Sequence, residues 1–182
     1  MSRQDYSIID GKESQMEIER KFLVRALPEN LETYPHSELE QGYLATKGTT
    51  VRIRRDGDRY ILTIKKKPKD LGPEAKDLAR IEIEEEIDEN LYRRLGAHTE
   101  TPMLCKTRYR IPYGKYTVEL DLYHGVLEGL ATAEIEFPDL SEAIDAKVPD
   151  WFGKDVSSDM RYRNSHLAQL TSLDSLADEY MP

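Results

Sequence analysis

From residue 16 the chain alternates: Glu17, Glu19 and Lys21 fall at every second position, with Ile18, Arg20, Phe22 and Val24 between them. Successive side chains of an extended strand point to opposite faces, so two carboxylates and an ammonium share one side. The pattern recurs. Val51 to Arg54 alternates and resumes beyond the turn signal Asp56-Gly57 at Tyr60 to Lys65, which predicts a hairpin. Arg80 to Ile87 alternates charge with isoleucine, Lys106 to Ile111 and Tyr116 to Leu122 flank a Pro112-Tyr113-Gly114 turn, and Ala133 to Phe137 closes the series before Pro138. With the short segment Gln41-Gly42-Tyr43-Leu44, these make about eight strands at hairpin spacing, an α+β chain that is mainly β, built as an antiparallel sheet or barrel.

Helical patterns fall between and after the strands. Asp88 is placed to cap a helix over Glu89 to Leu95 that Gly96 ends, and Ser141 to begin one over Glu142 to Lys147 that stops before Pro149. From Ser165 to Tyr180, leucines 167, 170, 173 and 176 recur every three residues and predict a C-terminal helix packed on the core. The stretch Lys65 to Pro73 reads as a lysine-rich loop in which only Lys65 is in phase with the preceding strand. Residues 1–15 are expected to form a flexible N-terminal extension, leaving 16–182 as one domain.

Composition narrows the functions open to such a chain. The 26 Lys and Arg against 35 Asp and Glu give a formal charge of −9, which argues against nucleic-acid or anionic-membrane partners. One cysteine, Cys105, and four scattered histidines offer no disulfide and no zinc-ligand spacing. No apolar run is long enough to span a bilayer and the first residues lack a secretory signal, so a soluble cytoplasmic protein is expected, with a homodimer left open.

The arrangement of charge is more informative than its amount. Like charges sit side by side at Arg52/Arg54, Lys106/Arg108, Glu82/Glu84, Glu119/Asp121 and Glu134/Glu136. Such pairs repel unless opposite charge lies across from them. A solvated outer face accounts for any one strand, whereas a closed barrel with its charged face inward accounts for the sorting of sign. A lumen of that kind gathers Lys21, Arg52, Arg54, Lys65, Lys106 and Arg108 for a polyanion such as a triphosphate. Its carboxylates would repel that ligand unless divalent cations intervene, and hard oxygen ligands favour Mg²⁺ or Mn²⁺. Alternation alone leaves both readings open.

Glu17-x-Glu19-x-Lys21 resembles the signature of the CYTH domain, or triphosphate tunnel metalloenzyme, family. The likeness continues through Gln41-Gly42-Tyr43-Leu44, Arg52-x-Arg54, Leu62-Thr63-Ile64-Lys65, Arg80-x-Glu82-x-Glu84, Lys106-x-Arg108-Tyr109, Glu119-x-Asp121-x-Tyr123, Glu134-x-Glu136-Phe137 and Asp159-x-Arg161-Tyr162-x-Asn164. The resemblance implies an eight-stranded antiparallel closed barrel, a triphosphate tunnel with helices packed outside. It makes Lys21, Arg52, Arg54, Lys65, Lys106, Arg108 and Arg161 phosphate ligands. It makes Glu17, Glu19, Glu119, Asp121, Glu134 and Glu136 metal ligands for Mg²⁺ or Mn²⁺, adds Glu82 and Glu84 as tunnel acids, and nominates Lys65, Glu17 and Glu19 for catalysis. The implied activity is hydrolysis of inorganic tripolyphosphate to pyrophosphate and phosphate, because cyclase-like relatives tend to carry aspartate where Gly42 stands. A class IV type adenylate cyclase or a nucleoside or thiamine triphosphatase is the same-fold alternative, with Trp151, Tyr43 or Tyr123 available to stack an organic ring. A non-catalytic polyphosphate-binding module is the alternative of a different class.

Overall fold

The computed structural model describes residues 15–68 and 78–176. Within them the alternating segments become antiparallel strands: β1 (Gln15–Val24), β2 (His36–Ala45), β3 (Thr49–Asp56), β4 (Arg59–Lys66), β5 (Ala79–Glu86), β6 (Leu104–Tyr113), β7 (Tyr116–Tyr123), β8 (Ala131–Glu136) and β9 (Phe152–Asp155). The strand order β5-β4-β3-β2-β6-β7-β8-β1 closes on itself through pairing of β1 with β5, giving an eight-stranded barrel. Closure removes the unpaired edges that an open sheet would expose. One edge of β1 runs along β8, and its other edge is shared between β5 at residues 15–18 and β9 from Phe22 to Val24. The β3–β4 and β6–β7 hairpins turn at Gly57 and Gly114, whose φ values of 59° and 60° lie in the left-handed region that glycine enters without strain.

The two faces of the wall have separate cores. Outside, Ile18 and Phe22 of β1, Val118 and Leu120 of β7 and Ala133 and Ile135 of β8 are buried beneath Phe137, Ala143 and Phe152. Inside one end, Leu23, Tyr43 and Tyr123 pack with Tyr162, Leu167 and Leu176 into an apolar plug. The outward apolar face is not covered all the way round. Met16 on β1 and Ile83 on β5 stay exposed, at 52% and 46%.

Helix α1 (Glu89–Gly96) forms as its sequence predicts, with the Asp88 carboxylate accepting from the Leu91 amide at 2.7 Å. Helix α2 spans Leu140–Asp145 and so starts ahead of the predicted position. Asp139 is its cap, accepting from the Glu142 amide at 2.9 Å, while the Ser141 hydroxyl donates to Asp139 at 2.6 Å instead of capping the helix itself. The predicted C-terminal helix is replaced by a four-residue α3 (Asn164–Leu167) and a separate 3-10 turn, Asp174–Leu176. A three-residue leucine repeat suits the 3.0-residue turn better than the α-helix. The Ser172 hydroxyl also accepts from the Asp174 amide and competes with helix continuation. Leu167 and Leu176 are nonetheless buried in the plug. The extension (1–14), the loop residues 69–73 and the tail beyond 176 lie outside the described residues. Among the described residues no helix is long and apolar enough to cross a membrane.

Candidate active site

The inward face of β6, β7 and β8 gathers an ion-pair knot. Lys106 on β6 donates to Asp121 on β7 at 2.5 Å. Arg108, two residues on, reaches both Asp121 oxygens at 2.7 Å, Glu134 on β8 at 2.8 Å, and Glu119. Lys21 on β1 completes the group by pairing with Glu134 at 3.0 Å. Asp121 is 0% exposed and Lys106 1%. Such burial is tolerable because every charge faces an opposite one, and Arg108, Asp121 and Glu134 each face more than one. Against the penalty of burial, Lys21, Arg108 and Lys106 hold the Glu134 carboxyl well below the usual carboxylate range. Burial and the neighbouring Arg108 push the Lys106 ammonium down to about 8 despite Asp121.

The β3–β4–β5 side is looser. Arg52 donates to Thr63 at 3.0 Å and to Glu84 at 3.2 Å, and Arg54 reaches the same Glu84 oxygen at 3.3 Å. Lys65 bridges Glu17 at 2.7 Å and Glu82 at 3.3 Å. Arg52 and Arg54 each keep a buried Nε–H with no acceptor. An unpaired guanidinium N–H is a donor that an anionic oxygen can satisfy. Burial, with Arg52 and Arg108 nearby, lowers the Arg54 guanidinium to about 10.

Two cavities meet in this wall. One, of about 620 Å³, is lined by Lys21, Arg52, Lys65, Tyr43 and Ser157 among others. The second, of about 470 Å³, is lined by Glu119, Glu136, Tyr116 and Phe137, and Glu17, Glu19 and Glu134 line both. Burial, Glu134 and Glu17 push the Glu19 carboxyl up to about 7. Burial, Glu17 and Glu119 raise Glu136. This is a set of hard oxygen donors held under mutual repulsion, and a divalent cation would relieve it, so the residues fit such an ion. Among the described residues no group of three or more acidic or histidine side chains stands at ligating geometry, because Glu17, Glu119 and Glu134 are turned to Lys65, Arg108 and Lys21.

Lys21 is braced from outside the barrel. Its amide donates to the Ser157 hydroxyl at 2.9 Å, its carbonyl accepts from the Val156 amide at 2.8 Å, and Ser157 donates in turn to Asp155 at 2.6 Å. Strand β9 thus takes the edge of β1 where β5 has left it. No alternation in Phe152-Gly153-Lys154-Asp155 announces so short a strand.

Most of the nominated residues come together, with qualifications. Asp121, Lys106, Arg108, Arg54, Glu82 and Glu84 share the ion-pair networks but line neither cavity. Arg161 also lines neither and pairs with Asp159 at 2.6 Å, while Arg163, two residues on, lines the larger cavity together with Arg80. Sequence reading passed over Arg163 because 3-10 and irregular backbone carries no fixed phase to show which side chain turns inward. Of the nominated aromatic residues, Trp151 and Tyr123 line neither cavity and Tyr43 lines the larger one. Trp151 packs edge-on against Phe152 in the outer core, the Tyr123 hydroxyl donates to Asn164, and Tyr43 is buried with its hydroxyl accepting from Gln41. Gly42 faces the opposite way from the cavity. A Cβ there would lie 2.5 Å from Met103 Sδ and 2.8 Å from Thr99 Cγ2, so the glycine admits a packed loop and touches no substrate.

A closed antiparallel barrel with sign-sorted charges on its inner wall is a charged-tunnel protein. The chain belongs to the CYTH domain family, which matches residues 15–166. It is 38% identical over 157 residues to an inorganic triphosphatase of Nitrosomonas europaea, covering 84% of this chain and 96% of that one. A second inorganic triphosphatase, from Acetivibrio thermocellus, is 34% identical over 156 residues, covering 84% and 93%. The crystal structure of an inorganic triphosphatase superposes with a TM-score of 0.61 at 33% identity, over 86% of this chain and 96% of that one. A putative adenylyl cyclase from Hippeastrum, 16% identical with a TM-score of 0.54 over 70% and 82%, shares the fold alone. Membership of this family of tunnel metalloenzymes implies a divalent metal.

Proposed function

We propose that the chain hydrolyses inorganic tripolyphosphate to pyrophosphate and phosphate with Mg²⁺ or Mn²⁺. The observation that carries this is the larger cavity itself: Lys21, Arg52 and Lys65 converge there, and Arg52 holds a buried donor without an acceptor. The named activity of two relatives above 30% identity supports it. Lys21, Arg52 and Lys65 bind the phosphates directly, with Arg54 behind Arg52. Glu17, Glu19, Glu119, Glu134 and Glu136 would hold the divalent ion, which supplies charge neutralisation and a more acidic water. Asp121 instead fixes Lys106 and Arg108 in position.

The chain's own groups account for the rest. Glu19, a carboxylate that lines both cavities, orients the attacking water and accepts its proton. As the bridging P–O bond breaks, charge gathers on the leaving pyrophosphate and is met by Lys65 and Arg52 without reorganisation. Phosphate release from tripolyphosphate, ATP and thiamine triphosphate, each with Mg²⁺ and with Mn²⁺, tests the reading. Tripolyphosphate should lead clearly, and cyclic AMP as the main product from ATP would overturn it.

A further inference from the structure

At Lys21 strand β1 changes neighbours. One edge runs along β8, with Lys21 opposite Glu134. On the other edge the pairing with β5 ends at Ile18, and the next bond in that direction runs from the Glu19 amide to the Leu78 carbonyl at 3.2 Å. The amide and carbonyl that follow on this edge belong to Lys21, which is buried, and a buried peptide group without a partner is costly. The two residues after β9 supply both partners. The Val156 amide donates to the Lys21 carbonyl at 2.8 Å, and the Ser157 hydroxyl accepts from the Lys21 amide at 2.9 Å. Ser157 also lines the larger cavity, where a serine is ordinarily a donor to phosphate. A hydroxyl has a single proton, however, and that of Ser157 goes to Asp155 Oδ1 at 2.6 Å. Asp155 lines neither cavity and is itself held, by the Ser157 amide at 2.9 Å on one oxygen and by Arg20 Nε and Nη2 at 3.0 and 2.8 Å on the other. Arg20 in turn donates to the Ala143 carbonyl on α2 at 3.1 Å, which ties the assembly to the outside of the barrel.

We propose that Ser157 is a positioning residue for Lys21. With Asp155 and Arg20 behind it, Ser157 fixes the main chain from which the Lys21 ammonium reaches Glu134 at 3.0 Å and the phosphates of the substrate. Its hydroxyl proton is committed to Asp155, so its effect on the substrate passes through Lys21. A small shift of the β1 main chain is carried to the end of a long side chain, and loss of the clamp therefore acts on phosphate binding from a distance. The inference rests on the hydrolase reading of the same site and adds to it the groups that aim one of its phosphate ligands.

The test measures tripolyphosphate affinity by calorimetry on the chelator-treated full chain, and its turnover with Mg²⁺, with thermal melts to check folding. The variants are Ser157→Ala, Ser157→Thr, Asp155→Ala, Lys21→Gln and the double variant Lys21→Gln/Ser157→Ala. Ser157→Ala and Asp155→Ala should each weaken affinity and raise KM roughly fivefold, with kcat changed less. Ser157→Thr, which keeps the hydroxyl, should restore both. Once Lys21 is replaced, Ser157→Ala should change affinity by less than about twofold, because the group it positions is gone. A fivefold loss that persists in the Lys21→Gln background would overturn the inference, since the serine would then act without Lys21. A loss with Ser157→Ala and none with Asp155→Ala would also overturn it and make the hydroxyl a direct phosphate donor. If Ser157→Ala does not fold, Asp155→Ala alone and in the Lys21→Gln background carries the same comparison. Binding of tripolyphosphate to the unmodified chain without its hydrolysis would remove the hydrolase reading and leave the clamp to be judged by affinity, whereas absence of binding would overturn both.

Discussion

The two sides of the tunnel wall are written in the same residue types and do different work. On β6–β8, Lys106, Arg108 and Asp121 are buried and, with Glu134 at the border of both cavities, satisfy one another at 2.5–2.8 Å. Across the lumen on β3–β5, Arg52, Arg54, Lys65, Glu82 and Glu84 pair at 3.2–3.9 Å, Glu84 is 41% exposed, and two guanidinium donors have no acceptor. A charge with all its partners in the protein is part of the scaffold, whereas a charge with a spare donor is available to a ligand. Alternation places both kinds on the same inward face, so only the count of partners tells them apart.

The sharpest break in the comparison is Asp121→Ala. It leaves Lys106 and Arg108 buried without their main counter-charge, and removing one partner of such a group costs about 3–5 kcal/mol. Urea unfolding should show the loss, and a change below about 1 kcal/mol would mean that the knot is not structural. Arg52→Ala is the matching probe of the open side. It should weaken tripolyphosphate binding by roughly 1.5–3 kcal/mol, because a charge-assisted contact is lost, with a smaller effect on unfolding. Direct titration of ligand against the variant measures it, and unchanged affinity would place the phosphates elsewhere.

Much of the barrel was legible because β-alternation has a period of two and the lumen is polar. Each strand from β1 to β8 shows at least part of its length that way, and Glu17-x-Glu19-x-Lys21 marks the inward phase of β1. What alternation could not show was rank among the inward charges: Asp121 looks like Glu119 in sequence, yet one is fully buried between two cations and the other borders a cavity. It also could not show β9, whose four residues are fewer than a pattern needs, or the outward direction of Gly42, which depends on a loop approaching from residues 99–103. The glycine that suggested a substrate class is thus explained by packing. The family assignment stands on the whole series of motifs instead.

Acid–base behaviour sharpens the same contrast. Glu134 and Asp121, held below the ordinary carboxylate range by their cations, contribute stability that is present above that range and lost as the pH falls through it. Glu19 has the opposite sign. Its carboxyl is raised from 4.5 to about 7, so the folded protein binds that proton more tightly than the unfolded chain does, and the stability it contributes is full below about 4.5 and lost as pH rises to about 7. In chelator-treated protein, Glu19→Gln should remove that decline, an effect on the order of 1–2 kcal/mol near neutrality. Thermal melts of both proteins from pH 4.5 to 8 would measure it. Parallel curves would show that Glu19 ionises in the folded state as it does in the unfolded chain.

The smallest expected effect belongs to a residue outside both sides of the wall. Arg161 is nominated by its motif, but its guanidinium lies against Asp159 at 2.6 Å with side-chain exposures of 42% and 23%, and it lines neither cavity. A solvent-screened pair of neighbours two residues apart contributes about 0–1 kcal/mol. Arg161→Ala should therefore move the unfolding midpoint little and leave KM for tripolyphosphate within about twofold, the range in which a lost phosphate contact would be excluded. The steady-state constants of the variant decide between motif and geometry. A tenfold rise in KM would mean that Arg161 swings away from Asp159 to meet substrate, and the boundary between scaffold and ligand-binding charges would then have to be redrawn to include the C-terminal segment.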